Sequence, residues 1–187
     1  MRNHWLSQGL AGTLGIGIGL LLLGAPCAIA EPAPVIRPLL NDIRRELPED
    51  LLVRLPASLP DGSTELYPYL NSDKQGLTIL FGTTPDCATS EERNRCTIGG
   101  LGVFPKDFEG WRTQSDRMTP IDIGNGIQGY IFTRGQGRST NRLITWEQDD
   151  VRYVIGAIEA VVSQNDLLTI ARSMVTEPPI TPVSPKE

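Results

Sequence analysis

Three stretches rich in β-branched and aromatic residues, Ile127–Thr133, Leu143–Gln148 and Val151–Ile158, follow one another, with only Asp149-Asp150 between the last two. Such side chains suit a pleated, half-buried surface, and a two-residue connection is the length that turns one strand directly back on the next. The run therefore predicts a three-stranded antiparallel meander. Ser163 and Asp166 then stand at the spacing of a helix cap and its reciprocal acceptor. They open a helix over 164–176 with Leu167, Leu168, Ala171, Met174 and Val175 on one apolar stripe.

Upstream, Val35, Leu39, Leu40, Ile43 and Leu47 recur at helical spacing, which predicts an amphipathic helix over 36–47, ended by Pro48, with Pro38 in its first turn. Leu51, Val53 and Leu55 alternate and stop at Pro56 and Pro60, as an edge strand would. Glu65–Leu70 and Leu77–Thr83 flank the turn-rich Asn71–Gly76 and read as a hairpin. Thr97–Phe104 is a further strand. Residues 105–120, with Phe108, Trp111 and Met118 irregularly spaced, carry no clean period and read as a short helix or a loop. Helix, several strands, helix is α+β: a single antiparallel sheet of about five to seven strands with the N- and C-terminal helices packed on one face.

The first thirty residues have a different grammar. Arg2 precedes an apolar run from Leu10 to Leu23, and no acidic residue appears before Glu31. Gly24-Ala25-Pro26 breaks the run, and Ala28-Ile29-Ala30 supplies the small-x-small pattern of a signal peptidase site. Residues 1–30 are therefore expected to be a signal peptide cut after Ala30, and an uncleaved anchor is the alternative. Lipidation at Cys27 would need a leucine three places earlier, where Leu23 is four, and Pro26 intervenes. The expected organisation is a signal peptide over 1–30, a proline-rich lead-in over 31–35, one α+β domain over 36–176 and a disordered proline-rich tail over 177–187.

Removal of that segment changes the chemistry left to the chain. The formal charge of the whole sequence is −5 and becomes more negative with the loss of Arg2, which argues against nucleic acid and anionic membrane as partners. The sole histidine, His4, goes with it. Histidine triads, Cys-His dyads and most catalytic zinc or haem sites are then unavailable, and no cofactor or metal is expected. Of three cysteines, Cys87 and Cys96 remain. In an oxidising compartment that pair predicts a disulfide closing the mouth of a long hairpin loop, without the spacing of a redox-active pair.

Gly124-Asn-Gly126-Ile-Gln-Gly129 matches a dinucleotide-binding pattern in letters. That motif needs a helix after it to hold the pyrophosphate, and here strand-like Tyr130–Thr133 follows, so a turn between strands is expected. Asn71-x-Asp73-x-Gln75-Gly76 resembles the front of a calcium loop, but its twelfth position is Gly82 where a glutamate is required. Arg134, Arg138 and Arg142 make a basic loop that Arg112 and Arg117 could join. With Trp111 they are the candidates for anion or partner contact. Trp146, Tyr153 and Phe132 read as core aromatics.

Ile127-Gln-Gly-Tyr130, Leu143-Ile-Thr-Trp146-Glu-Gln-Asp-Asp-Val-Arg-Tyr153 and Asp166-Leu-Leu-Thr-Ile-Ala171-Arg-Ser-Met174 together resemble a domain of unknown function found in exported or membrane-tethered bacterial proteins, including those of sporulation and anti-sigma-factor type. Leu51–Pro60 and the Cys87–Cys96 loop are similar to segments of uncharacterised cyanobacterial secreted proteins. A weaker likeness, to accessory proteins of the oxygen-evolving complex in the thylakoid lumen, rests on the same strand-turn-strand-helix ending. The resemblance implies a fold and no catalytic residue.

The expected function is that of a non-enzymatic binding or accessory domain of the periplasm, thylakoid lumen or extracellular space, engaging a protein or envelope component. No membrane insertion is expected after signal cleavage. The alternative is a carboxylate-based hydrolase of envelope glycans, which needs two acidic residues across a cleft. A third class, an inert stabilising or sensory module, would need a membrane tether.

Overall fold

A computed structural model of the chain describes residues 31–48, 51–60, 64–71, 76–108, 118–137 and 140–180. Its centre is one antiparallel sheet of seven strands: β1 (Tyr67–Leu70), β2 (Leu77–Gly82), β3 (Thr97–Pro105), β4 (Thr119–Asp122), β5 (Gln128–Arg134), β6 (Asn141–Gln148) and β7 (Val151–Ile158). The order across the sheet is β1-β2-β3-β7-β6-β5-β4. Two meanders, β1 to β3 and β4 to β7, are thus joined where β3 pairs β7. The predicted three-stranded meander is β5 to β7. The α+β expectation is correct, and both terminal helices share one face of the sheet.

Register explains why that face is a core. Leu70, Ile79, Leu101, Ile155, Ile144 and Ile131 lie opposite one another in turn, so one apolar row crosses six strands and ends at the exposed Thr119 of β4. Beside it runs Leu77, Val103, Tyr153 and Trp146. Because side chains alternate along a strand, these rows share a face, here called the helix side. Ile36, Ile43 and Leu47 from the first helix, and Leu167, Ala171 and Met174 from the last, join the same cluster.

The first helix begins as a 3-10 turn, Arg37–Leu39, with Pro38 inside it where no backbone donor is needed, and continues as α1, Leu40–Glu46. A single turn, α2 (Arg93–Cys96), lies within the disulfide loop. The last helix, α3 (Gln164–Thr176), opens on the expected cap: Ser163 accepts from the Asp166 amide and the Asp166 side chain accepts from the Ser163 amide. Its buried stripe takes in Ile170, whereas Leu168 is only half-buried.

Several expectations need correction. Residues 51–55 are not an edge strand: they touch strand-like structure only at Val53, bridged to Ile180. Val53 and Leu55 are buried because the stretch over 51–60 lies across the helix side as a strap, and the alternation in 51–55 marks core against solvent rather than a place in the sheet. The packed domain also exceeds 36–176. Ala33 is buried and its amide donates to the Pro56 carbonyl at 2.7 Å, while the Ile180 amide donates to the Val53 carbonyl at 2.7 Å. Backbone pairing to the strap thus fixes residues expected to form a lead-in and a tail. β4 was not anticipated. It is four residues long, includes Pro120 and is largely exposed, so it has no hydrophobic period to betray it.

The signal segment with Ala28 and Ala30, Cys27, the calcium-like residues Asp73 and Gln75, and Arg112 and Arg117 lie outside the described residues. Among the described residues, no helix is long and apolar enough to cross a membrane.

Candidate functional site

Cys87 and Cys96 are bonded, with Cα atoms 5.8 Å apart. Cys87 is fully buried against Gly82, where an added Cβ would lie 2.6 Å from that of Cys87. The bridge therefore pins the β2–β3 loop onto the end of β2. Its loop is short, and closing it restricts the unfolded chain by about 2.5–3 kcal/mol.

The glycine motif is a turn. Gly124, Asn125 and Gly126 all have positive φ between β4 and β5, and Gly129 lies in β5 rather than at a helix start. Asp149 and Asp150 both have left-handed backbone, the geometry of the tight hairpin turn that matches strand twist.

The basic candidates are separated by register. Arg134 faces Asn141, and the neighbouring pair is Thr133 with Arg142, so Arg134 and Arg142 project from opposite sides of the sheet. Arg142 is ion-paired with Glu159 on the helix side. Arg134 lines a concavity on the other side. Arg138 and Trp111 lie outside the described residues.

Trp146 and Tyr153 are core, as expected: they face each other across β6 and β7 with rings stacked 5.0 Å apart. The Tyr153 hydroxyl donates to the Leu52 carbonyl at 2.7 Å and accepts from the Arg54 amide at 3.3 Å. Burial pushes its pKa up to about 12. The Arg54 guanidinium meets Asp149 at 2.7 Å and donates to the Glu177 carbonyl. Strap, hairpin turn and C-terminal segment are thereby fastened at one point.

What the sequence reading missed is a window of small residues in the two central strands. Gly99 pairs with Ala157 and Gly100 with Gly156, so over this patch the sheet is reduced almost to backbone. Ile98-Gly-Gly-Leu-Gly102 was the available signal, because glycine inside a strand marks close approach by a ligand or another backbone.

A concavity lies on each side of this window, and Gly99, Gly100 and Gly156 line both. On the open side, away from the helices, the volume is about 410 Å³, with Leu80 and Phe104 along one wall and Leu143 and Val154 along the other. Phe108 stacks on Phe104 at 4.7 Å, and Tyr130, farther along the same side, is 39 % exposed. Charged and polar groups stand at the periphery: Arg152 pairs with Glu147 at 2.8 Å, and Arg134 and the Asn141 amide line the opposite end. On the helix side a cavity of about 400 Å³ opens between α3 and a wall of Pro56, Leu59, Pro60, Thr64 and Leu66.

No family model, curated protein or solved structure matches the chain. The site is therefore read from its own geometry. Among the described residues, no cluster of His, Cys, Asp and Glu is arranged to hold a metal ion.

Proposed function

We propose that this chain is an exported, non-enzymatic binding domain of the cell envelope or thylakoid lumen, and that it engages a protein or envelope component through the open side of its sheet. The observation that carries this reading is the glycine-floored groove at Gly100 and Gly156, apolar at its centre and charged at its periphery. An apolar core within a polar rim is the anatomy of a recognition surface. A disulfide suits an oxidising compartment, in keeping with the export signal read from residues 1–30. A hydrolase would need paired carboxylates. Among the described residues, the open groove is lined by no carboxylate and the helix-side cavity by Asp166, whose side chain is engaged by Ser163.

A photo-crosslinking amino acid at position 80 or 130, compared with position 169 on the outer face of α3, tests this in the producing cell. Adducts from 80 and 130 but not from 169, with the adduct at 130 lost on Leu80→Glu, are expected. Equal labelling from all three positions, or none, overturns the assignment.

A further inference from the structure

We propose that the cavity on the helix side of the sheet is a second, independent site, which takes a neutral small molecule with a hydrocarbon body. α3 lies over β6 and β7, and the strap lies beside it. The space between them falls over β2, β3 and the end of β7, where Phe81, Leu101 and Ala157 make the floor, Leu167 and Ile170 one wall, and Leu59 and Leu66 the other.

Protein interiors close voids much larger than a water molecule, and this one, at about 400 Å³, is held open from both sides. The strap is fixed by the Tyr153 hydroxyl, by Arg54 and by the Ala33 amide, and Pro56 and Pro60 limit its backbone. α3 is fixed at its start by the cap and just beyond its end by the bond from Arg54 to the Glu177 carbonyl. The floor is deep because Gly99 and Ala157 pair there. Gly99 has no room for a side chain, since a Cβ would lie 2.7 Å from the Gly156 carbonyl oxygen.

The lining specifies the ligand's chemistry. Its volume falls within the range of small-molecule pockets, its walls are largely aliphatic, and among the described residues that line it the one ionisable group is Asp166. A buried anion would lose its hydration beside that carboxylate with no cation among the described wall residues to compensate. A cation gains little, because Asp166 already accepts from the Ser163 hydroxyl at 2.6 Å and from the Ser163 amide. Val161, 51 % exposed at the rim, marks the entrance.

The test uses protein produced from the full sequence and purified from an oxidising compartment, titrated with the neutral fluorophore N-phenyl-1-naphthylamine and with its anionic sulfonate analogue. Saturable binding of the neutral probe is expected, with the anionic one about ten-fold weaker. Val161→Trp and Leu59→Trp, each narrowing the cavity, should weaken the neutral probe by about ten-fold or more, and Leu80→Glu on the open side should leave it unchanged. In methyl NMR of the unsubstituted protein, the probe should shift Leu59, Val161, Leu167 and Ile170. The proposal is overturned if the anionic probe binds as tightly, if both tryptophan variants bind like the parent, or if the shifts fall on Leu80 and Leu143. The last result would place the ligand on the open side and leave the partner reading standing.

Discussion

The hydroxyl of Tyr153, in the central strand of the sheet, donates a 2.7 Å hydrogen bond to the carbonyl of Leu52 in the strap. The same oxygen accepts from the amide of Arg54, so one side chain satisfies two backbone groups of a segment that has no strand partner along most of its length.

Tyr153→Phe leaves that carbonyl and amide unpaired in a largely dry place, and an expected loss of about 1–3 kcal/mol is read from urea denaturation. The titration has a definite sign. Burial raises the folded pKa from 10 to about 12, so the folded chain holds a proton that the unfolded chain releases first. The stabilisation is complete below pH 10 and is lost as pH rises from 10 through about 12, at up to about 1.4 kcal/mol per pH unit. Tyr153→Phe should flatten this alkaline fall relative to the parent. An unchanged slope would mean that the hydroxyl is not held this way.

Asp149 and Asp150 both have φ near +55°, but their roles differ. Asp149 is ion-paired with Arg54 at 2.7 Å, whereas the Asp150 carboxylate, 92 % exposed, meets Lys106 only at 3.8 Å. Asp150→Gly removes the left-handed penalty and should stabilise the chain by about 0.5–1 kcal/mol. Asp150→Val should cost about 1–2 kcal/mol. Thermal unfolding of the two variants gives the order.

Replacing both Cys87 and Cys96 with serine should lower stability by about 2–3 kcal/mol, with reductant having no further effect on the variant. Intact mass and alkylation of the parent, with and without reductant, report the bridge and the cut after Ala30 together. Alkylation of both thiols without reductant would contradict the bridge, and a mass that retains residues 1–30 would contradict cleavage.

Gly102 is a packing residue, because a Cβ there would lie 2.5 Å from the Phe104 ring, which folds back over the glycine and stacks on Phe108. Gly102→Ala should therefore cost about 1–3 kcal/mol and alter the aromatic near-ultraviolet dichroism. A variant as stable as the parent, with unchanged dichroism, would mean that Phe104 does not depend on that space.

Features made by neighbours in the chain were legible. Asp149-Asp150 and the β-branched runs beside it specify a hairpin, Ser163 with Asp166 specifies a helix start, and Cys87 with Cys96 specifies a loop closure. The strap was misread because Leu51, Val53 and Leu55 alternate in the same way whether a segment pairs in a sheet or lies across one. β4 has too few buried residues to leave a pattern. The candidate site depends on Gly99 meeting Ala157 and Gly100 meeting Gly156, pairings distant in sequence and set by register. Register likewise puts Arg134 and Arg142 back to back, although they are close in the chain.

The amides of Ala33 and Ile180 both dock on the strap, at the carbonyls of Pro56 and Val53. Three residues of chain span at most about 11 Å, so the two ends of the packed domain leave it side by side. Tension applied between them would be carried by these few hydrogen bonds, and the seven strands would feel it only after the strap had peeled away.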